Sequence, residues 1–250
     1  MRTLHLLMFS DKNLPNILTC LNLLCGCLAI VSVFSGNVTL LVGMVFLAAM
    51  FDFLDGITAR SLNANSDLGR ELDSLADMVT FGVVPGMILY DMMVKGQAQE
   101  IIENEFLLTI LKYFPFIVTV FAAYRLAKFN TERRQSETFL GLPTPAVGML
   151  VTSFPLILRQ DIWHLASIIN HPFFIIITSI LLSVLMISEI PMFAFKFKNR
   201  NWKDNKTQYI YLITSFILLI ILQSTAVPLL FVLYITFSLV NNSMMQRTAS

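Results

Sequence analysis

The sequence predicts an all-α polytopic membrane bundle of about eight transmembrane helices with cytoplasmic N- and C-termini, and three observations lead there. Of the 250 residues, 56% are hydrophobic and only 13% charged, with a mean hydropathy of +0.73, whereas soluble domains carry about 25% charged residues. The apolar residues gather into runs of the length that crosses a bilayer, about 20 residues per helix, because backbone groups must pair internally in hydrocarbon. The cations divide unevenly between the connections, which fixes an orientation.

Taken in order, the expected spans are 14–34, 38–60, 67–90, 106–129, 143–159, 172–190, 208–223 and 225–241. The fifth is short, and the last two meet near Ser224 in a very tight connection, so six or seven spans is the alternative count. With a cytoplasmic N-terminus, fourteen of the seventeen Lys and Arg residues fall on the cytoplasmic side. Lys95, Lys112 and Arg159 are the three that fall outside. That asymmetry obeys the positive-inside rule and favours an even span count. The polar stretches 91–104, 130–142 and 191–207 are too short to divide domains, so residues 1–250 read as a single membrane domain.

A net charge of +1 gives no electrostatic footprint for nucleic acid. Cys20, Cys25 and Cys27 share one apolar segment and match neither a disulfide framework nor paired zinc ligands, so they read as packing residues. That segment, preceded by Lys12, superficially resembles a signal peptide, and Leu24-Cys25-Gly26-Cys27 a lipoprotein cleavage site. Pro15, Asn16, Thr19 and Asn22 within it, and further membrane sequence after it, argue for a first span instead.

Against this apolar background, six of the sixteen acidic residues crowd into the stretch 52–77. Residues three or four apart share a helix face. Asp52 and Asp55 therefore point one way near the end of the second span, with Gly56, Ala59 and Arg60 a turn further on. Gly69, Asp73 and Asp77 stack at spacings of four on the third. Two helices joined by a short loop would face each other with four carboxylates between them. Buried carboxylates require cations. An all-oxygen set without His or Cys suits Mg²⁺, Mn²⁺ or Ca²⁺ rather than zinc, and four carboxylates can hold two such ions. Gly56 and Gly69 remove side-chain bulk where a ligand would approach the backbone. The residues by themselves leave a metal site and an ion pathway through a transporter both open. Asp67, Arg70 and Glu71 read instead as a solvated ion-pair cluster.

The pattern Asp52-x2-Asp55-Gly56-x2-Ala59-Arg60-x8-Gly69-x3-Asp73-x3-Asp77 resembles the full signature of the CDP-alcohol phosphatidyltransferase family. The words ELDSLADMVTFGVVPG (71–86), YRLAKFN (124–130), FLGLPTPA (139–146), LPNILTCLNLLCG (14–26) and SEIPMFAFK (188–196) resemble those members of the family that use serine as acceptor. The resemblance implies transfer of a phosphatidyl group from CDP-diacylglycerol to the hydroxyl of L-serine, giving phosphatidylserine and CMP. It further implies that Asp52, Asp55, Asp73 and Asp77 hold divalent cations, two Mg²⁺ or Mn²⁺ with Ca²⁺ able to bind, and that Asp77 is also the base on the attacking hydroxyl. Gly56, Ala59 and Arg60 would lie against the cytidine diphosphate. A homodimer and an inner (plasma) membrane location in a prokaryote, with the active site facing the cytoplasm, are part of the same expectation. His5 lies near the N-terminus, and His164 and His171 lie on the opposite membrane side, so a direct displacement is favoured over a phosphoryl-histidine intermediate.

Several assignments carry equally ordinary alternatives. Asn16 and Thr19 could contact cytosine or ribose, or could cap and pack the first helix. Ser66 could face the phosphates or cap the third helix. The serine carboxylate calls for an Arg, and Arg125, Arg133 and Arg134 are candidates, with Asn130 and Thr144 nearby. These cations also satisfy the positive-inside rule, and the Arg133-Arg134 pair keeps glycerol 3-phosphate or an inositol phosphate open as the acceptor. The segment FKFKNRNWKDNK (195–206) suits anionic membrane lipid at the cytoplasmic surface. An ion pathway would continue across the bilayer, and ionisable residues are few in the outward halves of the first three spans.

Overall fold

The computed structural model describes residues 13–64, 66–131, 139–161, 163–192 and 206–249. Helices occupy every stretch read as a span. Helix α1 (Leu14–Phe34) opens with Pro15 in its first turn, where the missing N–H costs nothing. A turn at Gly36, with φ +66°, leads into α2 (Val38–Ser61), whose first turn is capped by Asn37 accepting from Leu40 N at 3.1 Å. Helix α3 (Asp67–Asp77) begins behind Ser66 and passes without a break through a π-helical turn (Met78–Val83) into α4 (Val84–Lys95).

On the far side, the short helices α5 (Ala98–Ile101) and α6 (Glu105–Leu111) lead through a 3₁₀ turn (Phe114–Phe116) into α7 (Ile117–Thr131). Helix α8 (Thr144–Gln160) follows, then α9 (Ala166–Ile169) and α10 (Pro172–Ile187). Two-residue strands β1 (Phe139–Leu140) and β2 (Pro191–Met192) pair antiparallel. Beside them Gly141 N donates to Ile190 O at 2.9 Å and Leu142 N to Leu185 O at 3.0 Å. The chain entering α8 is thereby anchored to the end of α10.

Among the described residues, five helical stretches are long and apolar enough to cross a membrane: Leu14–Phe34, Val38–Ser61, Asp67–Lys95, Glu105–Thr131 and Tyr209–Ser238. The last is bent. Helix α11 (Lys206–Leu222) and helix α12 (Ala226–Ala249) are separated by a 3₁₀ turn (Gln223–Thr225) with Gln223 at φ +51°. The rings of Tyr211 and Phe237 lie 5.9 Å apart, whereas a straight helix at 1.5 Å per residue would hold them about 39 Å apart. The tight connection near Ser224 is therefore a hairpin, and Ser224 hydrogen-bonds Gln160 at the end of α8.

Small residues let the central helices approach, as association inside lipid requires. A Cβ on Gly26 would overlap the Thr80 hydroxyl, and one on Gly148 would meet Phe81 Cδ1 at 2.7 Å. The π turn packs against α1, α7 and α8, and Phe81 within it is fully buried. The wide turn leaves the Gly82 carbonyl to accept from Thr119 Oγ1 at 2.9 Å. Helices α1, α2 and α3 thus converge at the end of the bundle that carries the acidic stretch.

Candidate active site

Asp52, Asp55 and Asp73 each present a carboxylate oxygen within 4.8 Å of the others. Spacing of three on α2 and the position of Asp73 on α3 bring them together across the loop that joins these helices. Asp55 is buried and accepts from the Thr19 hydroxyl at 2.6 Å, with the Pro15 carbonyl oxygen 3.0 Å from the same hydroxyl. Asp73 Oδ1 is buried and has no hydrogen-bond partner. Three converging carboxylates, one with a buried oxygen that no protein group satisfies, require a cation to stay ionised together. An all-carboxylate donor set fits a hard divalent cation.

Asp77 stands one turn beyond this group and is held separately. Its Oδ1 accepts from Asn22 Nδ2 at 3.1 Å, and Asn22 Oδ1 accepts from the Thr80 hydroxyl at 2.9 Å. Asp77 remains within electrostatic range of Asp52, Asp73 and Asp55. Asn22 and Thr80 were not among the residues expected to serve the site. The available signal was an amide on the Asn16, Thr19, Asn22 face of α1 and a hydroxyl three residues after Asp77, both inside apolar sequence that reads as core.

Beside the carboxylates lies a cavity of about 550 Å³. Asn16, Thr19, Gly56, Ala59, Arg60, Ser66 and Gly69 all line it, together with Asp55 and Asp73. The Arg60 guanidinium lies over Gly56, 3.7 Å from where a Cβ would sit. A Cβ on Gly69 would lie 3.0 Å from both Asn16 Oδ1 and Ser66 Oγ, so the glycine keeps the wall open. Ser66 caps α3, accepting from Gly69 N at 3.0 Å, and also lines the cavity. Asn16 does not cap α1. Asn13 holds the N-cap position and Asn16 faces the cavity. Asp67 and Arg70 form an exposed ion pair at 2.8 Å on the cavity rim.

Arg125 is buried at 7% exposure on α7. Its Nη1 donates to Thr144 Oγ1 at 3.2 Å, its Nε is buried without a partner, and it lies within electrostatic range of Asp77 and Tyr234. Thr144 is positioned by Pro143 and the anchored turn before α8. Asn130 donates to Ser74 Oγ at 2.8 Å, tying α7 to α3 beside Asp73. Arg133, Arg134 and the basic residues of 195–205 lie outside the described residues. Cys25 is buried, whereas Cys20 and Cys27 are exposed on the apolar outer face, and all three are free thiols.

The family model for CDP-alcohol phosphatidyltransferase matches residues 12–190, which include the acidic stretch, Arg125 and Thr144. A Bacillus subtilis protein named CDP-diacylglycerol–serine O-phosphatidyltransferase is 37% identical over 183 residues, covering 73% of this chain and 91% of that protein. A Methanocaldococcus jannaschii protein of the same name is 33% identical over 187 residues, covering 73% of this chain and 76% of its own. An archaetidylserine synthase from Methanothermobacter thermautotrophicus is 30% identical over 155 residues, 59% of this chain and 62% of that one. The chain belongs to the CDP-alcohol phosphatidyltransferase family.

Proposed function

We propose that this protein transfers the phosphatidyl group of CDP-diacylglycerol to the hydroxyl of L-serine, forming phosphatidylserine and CMP. The carrying observation is the convergence of Asp52, Asp55 and Asp73 beside the cavity lined by Gly56, Ala59, Arg60 and Gly69. Relatives at 30–37% identity bearing serine-transferase names support serine as the acceptor over glycerol 3-phosphate or an inositol phosphate.

The cytidine diphosphate enters the cavity along Asn16, Thr19 and Ser66, with Gly56, Ala59 and Gly69 leaving the backbone accessible and Arg60 drawn onto the pyrophosphate. Two divalent cations, Mg²⁺ or Mn²⁺, held by Asp52, Asp55, Asp73 and Asp77, would neutralise the pyrophosphate and the charge that develops on CMP as it leaves. Ca²⁺ would occupy the same oxygens. Arg125 receives the serine carboxylate on the edge formed by its unpartnered Nε and adjacent Nη2, while Thr144 holds Nη1 and Asn130 braces α7 against α3. Asp77 takes the proton of the serine hydroxyl as its oxygen attacks phosphorus and the bond to CMP breaks, a single displacement.

Membrane placement follows from the same account. Eight spans, with α11 and α12 as the last two, leave both termini and the catalytic cavity on the cytoplasmic side, where serine and CMP are soluble. A homodimer in the inner membrane of a prokaryote completes the proposal. Purified protein in detergent with CDP-diacylglycerol and Mg²⁺ or Mn²⁺ tests it, with serine, glycerol 3-phosphate or inositol phosphate offered in turn. Release of CMP with serine is expected. Release with glycerol 3-phosphate but not serine would overturn the acceptor, and no release with any of them would overturn the enzyme.

A further inference from the structure

Asp77 is separated from the other carboxylates by its own hydrogen-bond chain, and that chain is wholly buried. Asn22 and Thr80 are both fully inaccessible, on α1 and on the π turn that begins directly after Asp77. An amide inside the bundle must satisfy two donors and an acceptor. Asn22 can face an ionised Asp77 only through its NH₂, because its carbonyl oxygen would meet a carboxylate with no proton between them. That orientation directs Oδ1 at Thr80, and Thr80 answers with its hydroxyl at 2.9 Å. The backbone carbonyl of Asn22 is the weaker option for that proton, at 3.3 Å. Gly26, one turn along α1, permits the approach, since a Cβ there would overlap the Thr80 hydroxyl.

We propose that Asn22 and Thr80 are positioning residues for the transfer reaction: Thr80 fixes the Asn22 amide, and the amide holds Asp77 Oδ1 so that Oδ2 is aimed at the acceptor hydroxyl. The inference rests on the functional reading above. Neither residue reaches the cavity that takes the nucleotide, so they act through Asp77 alone. Catalysis is sensitive to misplacement of Asp77, because a base contributes only within hydrogen-bond reach of the proton it removes.

The test is steady-state CMP release by full-length protein carrying Thr80→Val, Thr80→Ser, Asn22→Leu and the Thr80→Val/Asn22→Leu pair. Thermal stability in detergent is measured alongside, and kcat is counted per folded molecule. Thr80→Val keeps the shape and removes the hydroxyl; a fall in kcat on the order of tenfold is expected, with KM for serine and CDP-diacylglycerol held within about twofold. Thr80→Ser should restore kcat. Asn22→Leu should lose at least as much as Thr80→Val, and adding Thr80→Val to it should cost nothing further, because both act on one chain. Should Thr80→Val misfold, Asn22→Leu and Thr80→Ser still decide, the first losing kcat without KM and the second keeping both. Wild-type kcat in Thr80→Val or Asn22→Leu, equal impairment of Thr80→Ser and Thr80→Val, or additive losses in the double variant would each overturn the inference while leaving the serine transfer standing. A wild type that releases no CMP with serine would overturn the functional reading, and this inference with it.

Discussion

Replacing Arg125 by Met would remove a buried cation while keeping much of its aliphatic length. In the folded protein its Nη1 bonds Thr144 Oγ1 at 3.2 Å, and its Nε has no partner. If Nε and Nη2 together receive the serine carboxylate, the variant loses the charge-assisted bonds made there, each about 1.5–3 kcal/mol. At about 1.4 kcal/mol per decade, one such bond corresponds to roughly a 10- to 150-fold loss in kcat/KM for serine. Arg125→Lys should fall between, since a point charge replaces a planar fork. The assay is CMP release against serine concentration at saturating CDP-diacylglycerol, repeated with the two substrates exchanged. The loss should appear in the serine parameters, with KM for CDP-diacylglycerol within about twofold of wild type. Wild-type kcat/KM for serine in Arg125→Met would refute the assignment, and an equal rise in both KM values would show a general loss of structure instead.

Other outcomes follow from the same geometry. Chelation should abolish CMP release and added Mg²⁺ or Mn²⁺ restore it, whereas Asp73→Asn should resist rescue by metal; retention of activity in excess EDTA would contradict a metal role for the carboxylates. Gly69→Ala, whose Cβ would lie 3.0 Å from Asn16 Oδ1 and Ser66 Oγ, should raise KM for CDP-diacylglycerol several-fold and leave that for serine near wild type. Gly148→Ala should lower thermal stability in detergent by the 1–3 kcal/mol typical of overpacking, because its Cβ would meet the immobile Phe81 ring at 2.7 Å. Arg70→Ala should change stability by less than about 1 kcal/mol, since its ion pair with Asp67 is exposed.

Much of the bundle was legible because bilayer thickness imposes a length on apolar runs that no soluble core imposes. The acidic motif was equally legible: fixed intervals of three and four on two helices joined by a short loop determine which faces meet, and Asp52, Asp55 and Asp73 do meet. The same periodicity placed Gly56, Arg60 and Gly69 beside them, and these three line one cavity with Asp55 and Asp73. Less legible was anything depending on a departure from helical regularity. The π turn Met78–Val83 leaves no mark in composition, yet it sets where Phe81 and Thr80 point. Asn22 was hidden for a different reason, because one amide in an apolar segment is as consistent with helix packing as with a contact to Asp77. Arg125 could be named but not separated by sequence from Arg133 and Arg134, since all three satisfy the same charge asymmetry; its burial and unpartnered Nε are what the structure adds, and Arg133 and Arg134 lie outside the described residues.

The central claim is that the serine hydroxyl oxygen attacks the phosphatidyl phosphorus of CDP-diacylglycerol, with CMP as the leaving group. It is tested most directly with L-serine carrying ¹⁸O in its hydroxyl, incubated with the purified protein, CDP-diacylglycerol and Mg²⁺ or Mn²⁺, followed by mass spectrometry of the lipid product. Phosphatidylserine should form with one ¹⁸O retained for each CMP released. Phosphatidylserine lacking the label, or CMP release with no labelled lipid formed, would contradict the account.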